Sequence, residues 1–238
     1  MREAGRLFEM SEPLTPIKLK PRVNEPVPEH DFWQLATGAA FSSEAVQHIM
    51  VLANNLSLDP AHLKALGCGW MTADAIRDTQ TMASSGAWTF PMWNETRSKV
   101  IGIRLRSHDH KYAIKGSHNG LFWPKSNTGF GPLLMPEGPT DTCAIMALGF
   151  DAIGRPAAKA CIEMAAHAAR GRDLVVVADY GDANGDGIVG AMKLAKAAAR
   201  GCKSVKVIYP PNGKDARACT ASVREWRNAI ECAKVIDA

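Results

Sequence analysis

From residue 133 to residue 209 short β-branched or apolar runs alternate with alanine-rich stretches. LLMPEG, CAIMALGFDAIG, CIEMAAHAARGRD, LVVVAD, VGAMKLAKAAARG and VKVIYPP follow one another in that order. Runs of about five apolar residues have the length of buried strands, and the longer stretches between them carry helical spacing. Strand–helix–strand order brings successive strands together in parallel and covers the sheet with helices. The expected fold class is therefore α/β, with a parallel sheet flanked by helices. Ligands of such sheets collect beyond the carboxyl ends of the strands. Glu137 follows LLMP at one such end, with Gly138, Thr140 and Asp141 behind it. Asp179 ends LVVVAD, and Asp182 and Asp186 follow within YGDANGDG. Carboxylates gathered at strand ends are hard oxygen donors suited to Mg²⁺ or Mn²⁺, and two such ions can stabilise the attacking and leaving oxygens of a phosphoryl transfer.

The segment before this series has a different pattern. AWTFPM, KVIGIRLR and HKYAIKG are rich in β-branched and aromatic residues and are separated by the polar turns WNETRS and SHDH. Ile101, Ile103 and Leu105 alternate with Gly102, Arg104 and Arg106, as in a half-buried strand with a basic outer face. Seven Lys or Arg residues lie between Arg97 and Lys125 against the single acid Asp109. Trp88, Trp93, Tyr112, Phe122 and Trp123 are interleaved with them. Cations among aromatics suit a phosphate backbone and unstacked bases. The total charge of +4 is too small to argue for a polyanionic partner, so the local excess carries that inference.

The remaining chain sets boundaries. Residues 1–30 hold five of the fourteen prolines and are expected to form a Pro-rich tail or extended arm. Residues 43–80 are expected to be helical, with Ser43 capping one helix and Asp59-Pro60 starting another. SNTGFGP at 126–132 is the expected boundary between a smaller α+β basic subdomain over 31–128 and the parallel-sheet domain over 129–238. None of the six cysteines forms a C-x-x-C pair, which argues against a zinc ribbon. The N-terminus MREAGRLFEMSEP lacks an apolar leader core, and no run of about 18 apolar residues offers a membrane span. A soluble, cytoplasmic protein is expected. No G-x-x-x-x-G-K-[ST] motif is present, so helicase activity would come from a partner.

EGPTDTCAIMALG followed by VVVADYGDANGDGIVGAMKLA resembles the TOPRIM domain shared by DnaG-type primases, topoisomerases and some nucleases. The upstream WTFPMWNETRSKVIGIRLRSHDHKYAIKGSHNGLF resembles the segment that precedes TOPRIM in DnaG-type polymerase domains. The resemblance implies a TOPRIM-like sheet and a primase-like nucleotidyltransferase of phage or mobile-element type, lacking the zinc-binding domain. It would act on single-stranded DNA and nucleoside triphosphates with Mg²⁺ or Mn²⁺, with a replicative helicase as a possible partner. A TOPRIM nuclease and a non-catalytic DNA-binding accessory protein are the alternatives.

On this resemblance Glu137 is an acid, base or metal ligand, and Asp179 and Asp182 are metal-binding aspartates. The usual Asp-x-Asp is here Asp-x-x-Asp, which leaves two ligand sets open. Either Gly181 is an insertion between Asp179 and Asp182, or Asp182 pairs with Asp186. Arg106 and Lys111 would hold template or triphosphate, with Arg104 and Lys115 beside them. PPNGKDARA resembles the family's late lysine-aspartate motif, which adds Lys214 and Asp215 to Asp141 as second-tier residues. A topoisomerase would need a nucleophilic tyrosine on a much larger body.

Overall fold

The computed structural model describes residues 27–180 and 185–237. Most of the expected Pro-rich arm lies outside the described residues, and 27–30 carry no regular structure. The chain then forms α1 (Phe32–Ala40), α2 (Ala45–Leu56), α3 (Pro60–Ala65), β1 (Gly69–Met71) and α4 (Ala73–Asp78). Asp59 caps α3 through the Ala61 amide, with Pro60 at the first helical position, as its side chain and φ restriction dictate. Ser43 does not cap α2. The cap position is Glu44, which makes no side-chain capping bond, so packing of Ala45, Ile49, Leu52 and Ala53 holds this helix. The helical stretch is also interrupted by β1, which Trp70 and Met71 form by pairing with the next strand.

Three further strands, β2 (Ala87–Trp93), β3 (Val100–Arg106) and β4 (Lys111–Ala113), complete an antiparallel sheet of order β1-β2-β3-β4. Its register aligns Trp88 with Arg106 and Arg106 with Lys111. The neighbouring row aligns Phe90, Arg104 and Ala113. Paired residues of adjacent strands point to one face, so the register gathers Arg104, Arg106 and Lys111 on a single face.

The second half gives β5 (Leu133–Met135), α5 (Pro139–Ala147), β6 (Asp151–Ala152), α6 (Ile162–Ala168), β7 (Asp173–Val177), α7 (Asp186–Ala198), β8 (Ser204–Ile208) and α8 (Val223–Cys232). The sheet is parallel throughout, in the order β6-β5-β7-β8. Buried Leu134, Val175 and Val177 face a cluster that includes Trp88, Phe90 and Phe122 of the first half. Leu133, Met135, Leu174 and Val176 face a second cluster with Ala165, Ala191, Leu194 and Ala195 of α6 and α7. The alternation is that of strands covered on both faces. No helix among the described residues is long and apolar enough to cross a membrane.

Two polar devices join the halves. Phe122 and Gly154 exchange both backbone hydrogen bonds at 2.9 Å, which places the end of the antiparallel sheet beside the carboxyl end of β6. Asp151, 6% exposed, accepts from the Thr128 amide and hydroxyl, the Gly129 amide and Arg172 Nη2 at 2.8–3.1 Å. Burial pushes this carboxyl up, but the Thr128, Arg172 and Gly129 donors outweigh it and hold it below the usual carboxylate range. A carboxylate depressed in the folded state adds stability above its unfolded value near pH ~3.9, and that stability is lost as pH falls through the lower folded value. Asp151→Asn is therefore expected to lose about 2 kcal/mol at pH 7, the order of a charge-assisted hydrogen bond in a part-buried pair. In urea unfolding, the gap between wild type and variant should shrink as pH falls below ~4. A gap independent of pH would show that the ionised carboxylate is not what holds residues 127–129.

Candidate active site

β5 ends at Met135, and Pro136 leads to Glu137 and Gly138. Gly138 has φ +84°, a left-handed conformation that favours glycine. This tight turn puts Pro139 at the first position of α5 and leaves Glu137 half-buried at the strand end. Asp179 occupies the corresponding end of β7. There Gly187 of α7 is packed so closely that an added Cβ would lie 2.7 Å from the Asp179 carbonyl oxygen.

A cleft of about 240 Å³ opens between the two sheets. Glu137, Asp141, Asp179 and Asp215 line its parallel-sheet side, and Arg104, Arg106 and Lys111 line the side of the antiparallel sheet. Phe90 and Phe122 also contribute to its lining. On the other flank of Glu137 and Asp179 lies a second cleft of about 280 Å³, lined also by Ala157, Ala158, Lys159, Asp186 and Gly187. The two acids thus form the divide between the clefts.

The carboxylates are crowded enough to perturb one another. Burial, followed by the negative charges of Asp141, Glu137 and Asp215, pushes Asp179 up to about 7, while Arg155 acts in the opposite sense. Burial raises Asp141 to about 6 against the Arg217 amide, which donates to Asp141 Oδ1 at 2.9 Å. Arg106 is drawn down by burial and by the like charge of Arg217, with Asp141 opposing. Acids that resist ionising side by side call for an external positive charge, and all their donors are hard oxygens. The residues present therefore fit a divalent cation such as Mg²⁺ or Mn²⁺. Among the described residues no group of three His, Cys, Asp or Glu side chains is already drawn together as a ligand set.

Asp182 lies outside the described residues. Asp186 is the first residue of α7, where its carboxylate pairs with Lys159 Nζ at 2.5 Å and lines the second cleft. Lys115 is half-buried and is not part of the cleft lining; its amide donates to Thr81 Oγ1. Lys214 is exposed, and its carbonyl accepts from the Tyr180 amide, while Asp215 and Arg217 face the cleft. Two cationic residues were missed in the sequence. Arg217 sits inside PPNGKDARA itself, and Arg155 follows DAIG at the end of β6, where the strand-end rule already pointed.

No family model and no curated protein matches the sequence. Solved structures do match in fold. The DnaG primase catalytic domain bound to single-stranded DNA superposes with a TM-score of 0.65 at 14% identity, over 86% of this chain and 78% of that one. The Escherichia coli primase catalytic core gives 0.62 at 16% identity, over 85% and 79%. A chain of the bacteriophage T7 assembly, in which the lagging-strand polymerase meets primase domains bound to an RNA/DNA hybrid and dTTP, gives 0.58 at 17% identity, over 77% and 91%. The chain has the fold of a DnaG primase catalytic core, an α/β structure with a parallel TOPRIM-like sheet preceded by a smaller α+β unit. The expected fold class is the one found.

Proposed function

We propose that this protein is a primase-like nucleotidyltransferase, which joins nucleoside triphosphates into short oligonucleotides on single-stranded DNA. The observation that carries this reading is the single cleft in which Arg104, Arg106 and Lys111 face Glu137, Asp141, Asp179 and Asp215. Cations on one wall suit the phosphates of template and triphosphate, and acids on the other suit a metal-dependent transfer. In this reading residues 31–128 are the basic subdomain and 129–238 the catalytic TOPRIM unit, and a replicative helicase supplies unwound template.

Glu137 and Asp179, with Asp141 and Asp215 beside them, would hold Mg²⁺ or Mn²⁺, and Asp182 and Asp186 are further candidate ligands. The bound ion supplies positive charge to the phosphate oxygens as negative charge develops on them. Arg106 and Lys111 orient the triphosphate against the template so that the 3′-hydroxyl of one nucleotide meets the α-phosphorus of the next. The O3′–P bond forms as the bond to the pyrophosphate oxygen breaks. In this reading the Glu137 carboxylate takes the hydroxyl proton. Positioning and electrostatic stabilisation supply most of the rate.

The test incubates the protein with single-stranded DNA, Mg²⁺ or Mn²⁺ and labelled triphosphates. Short labelled oligomers support the reading. Shortened template instead moves the assignment to a nuclease, and DNA binding without turnover moves it to an accessory protein. A second expectation concerns affinity. Arg106→Ala with Lys111→Ala should lower the slope of log K against log salt by about 1.4, at about 0.7 per phosphate contact on a single strand. Fluorescence anisotropy across a salt series reads this, and an unchanged slope would remove β3 and β4 from the DNA path.

A further inference from the structure

Arg155 is 1% exposed and is among the largest fully buried side chains of the molecule. Its Nη1 donates to the Ala158 carbonyl at 2.6 Å, while the buried Nε meets no acceptor among the described residues. An arginine keeps its charge at any working pH, so this guanidinium needs a countercharge rather than a change of protonation. The backbone sets an acid beside it at the strand ends. Glu137 and Arg155 form a parallel bridge at the carboxyl ends of β5 and β6. The Gly138 amide donates to the Arg155 carbonyl at 2.7 Å, and the Arg155 amide donates to the Pro136 carbonyl at 3.0 Å. Burial draws the guanidinium down from its ordinary value, and the negative charges of Glu137 and then Asp179 oppose that shift. Four residues further on, Lys159 neutralises Asp186 across the second cleft. One short segment thus brings two cations to the acid cluster.

We propose that Arg155 is a resident cation of the acidic site, which fixes Glu137 and Asp179 and offsets part of their charge, so that divalent cations bind more weakly than the acids alone would hold them. It is a positioning residue, and the inference rests on the metal-dependent reading above. A like charge held next to a cation site in a partly desolvated cleft repels the incoming ion, and its removal strengthens binding.

The experiment titrates the full chain with Mn²⁺ alone and counts free Mn²⁺ by electron paramagnetic resonance, without DNA or nucleotide. Arg155→Met is expected to bind Mn²⁺ at least about tenfold more tightly than wild type, while Arg155→Lys stays within about threefold. Equal or weaker binding by a folded Arg155→Met overturns the proposal. Wild-type protein that binds no Mn²⁺ overturns the metal-dependent reading itself, a separate result. Thermal unfolding of Arg155→Met, Glu137→Gln and the double variant supplies a second readout, because partners in one charge pair are non-additive. The double variant should be more stable than the two single losses predict, and strict additivity overturns the pairing. Should Arg155→Met alone fail to fold, a folded double variant supports the proposal and an unfolded one overturns it.

Discussion

Glu137→Gln is expected to lower the rate of oligonucleotide synthesis roughly 10²–10³-fold while leaving DNA affinity within about twofold. The two halves of that expectation come from the two walls of the cleft. Glutamine keeps the size of the side chain and the turn at Gly138, so β5 and α5 need not move. It removes one carboxylate from the crowded set at the ends of β5 and β7, which on the proposed reading is a proton acceptor and an oxygen ligand at the point where charge develops. On the proposed reading, affinity for DNA rests instead on Arg104, Arg106 and Lys111, which line the cleft from the other side. Single-turnover synthesis and anisotropy on the same preparation read the two quantities apart. Parallel loss of rate and affinity would mean that Glu137 supports the cleft rather than the chemistry.

Trp226→Ala should lose about 3–5 kcal/mol of stability, the range for deleting a buried aromatic side chain. Trp226 is 0% exposed and is the only buried residue of α8. The helix is otherwise held by the capping box between Ser222 and Glu225 and by Lys206 Nζ, which donates to the Ile230 carbonyl. Trp226 belongs to the same buried cluster as Ile208, Ala216 and Ala221. Ala216 stands between Asp215 and Arg217, so a cavity under α8 reaches the segment that closes one end of the cleft. Urea unfolding should show the loss. At temperatures where the variant remains folded, synthesis should fall as well, because the Arg217 amide bond to Asp141 depends on that segment. A loss below about 1 kcal/mol would show that the site collapses around the smaller side chain.

The second half of the chain was legible as a parallel sheet because its signals are local. LVVVAD is apolar on both faces, as a strand covered by helices on both sides requires, and VKVIYPP keeps three of its first four residues apolar. Glycine and alanine then mark the turns and close helix packing. Strand ends follow directly from this, and so do Glu137 and Asp179. The first half was less legible for the opposite reason. β1 is three residues long and exists because Gly69, Trp70 and Met71 pair with Thr89, Trp88 and Ala87, far along the chain. α1 also went unread: its sequence, FWQLATGAA, carries a glycine, and Phe32, Ala36 and Ala39 are held by a cluster assembled from β2 and β3.

The order of apolar side chains was enough to place residues at strand ends and to pick out the strand with alternating cations, because periods of two and of about 3.6 residues are written into it. That Arg106 and Lys111 share a cleft with Asp141 and Asp179 follows from the packing of the two sheets, whose Phe122–Gly154 bridge joins residues 32 positions apart. The same holds for Arg155. Its position after a strand was visible, but its meaning lies in its burial and in the backbone bridge to Glu137 of another strand end, and no local pattern records that environment.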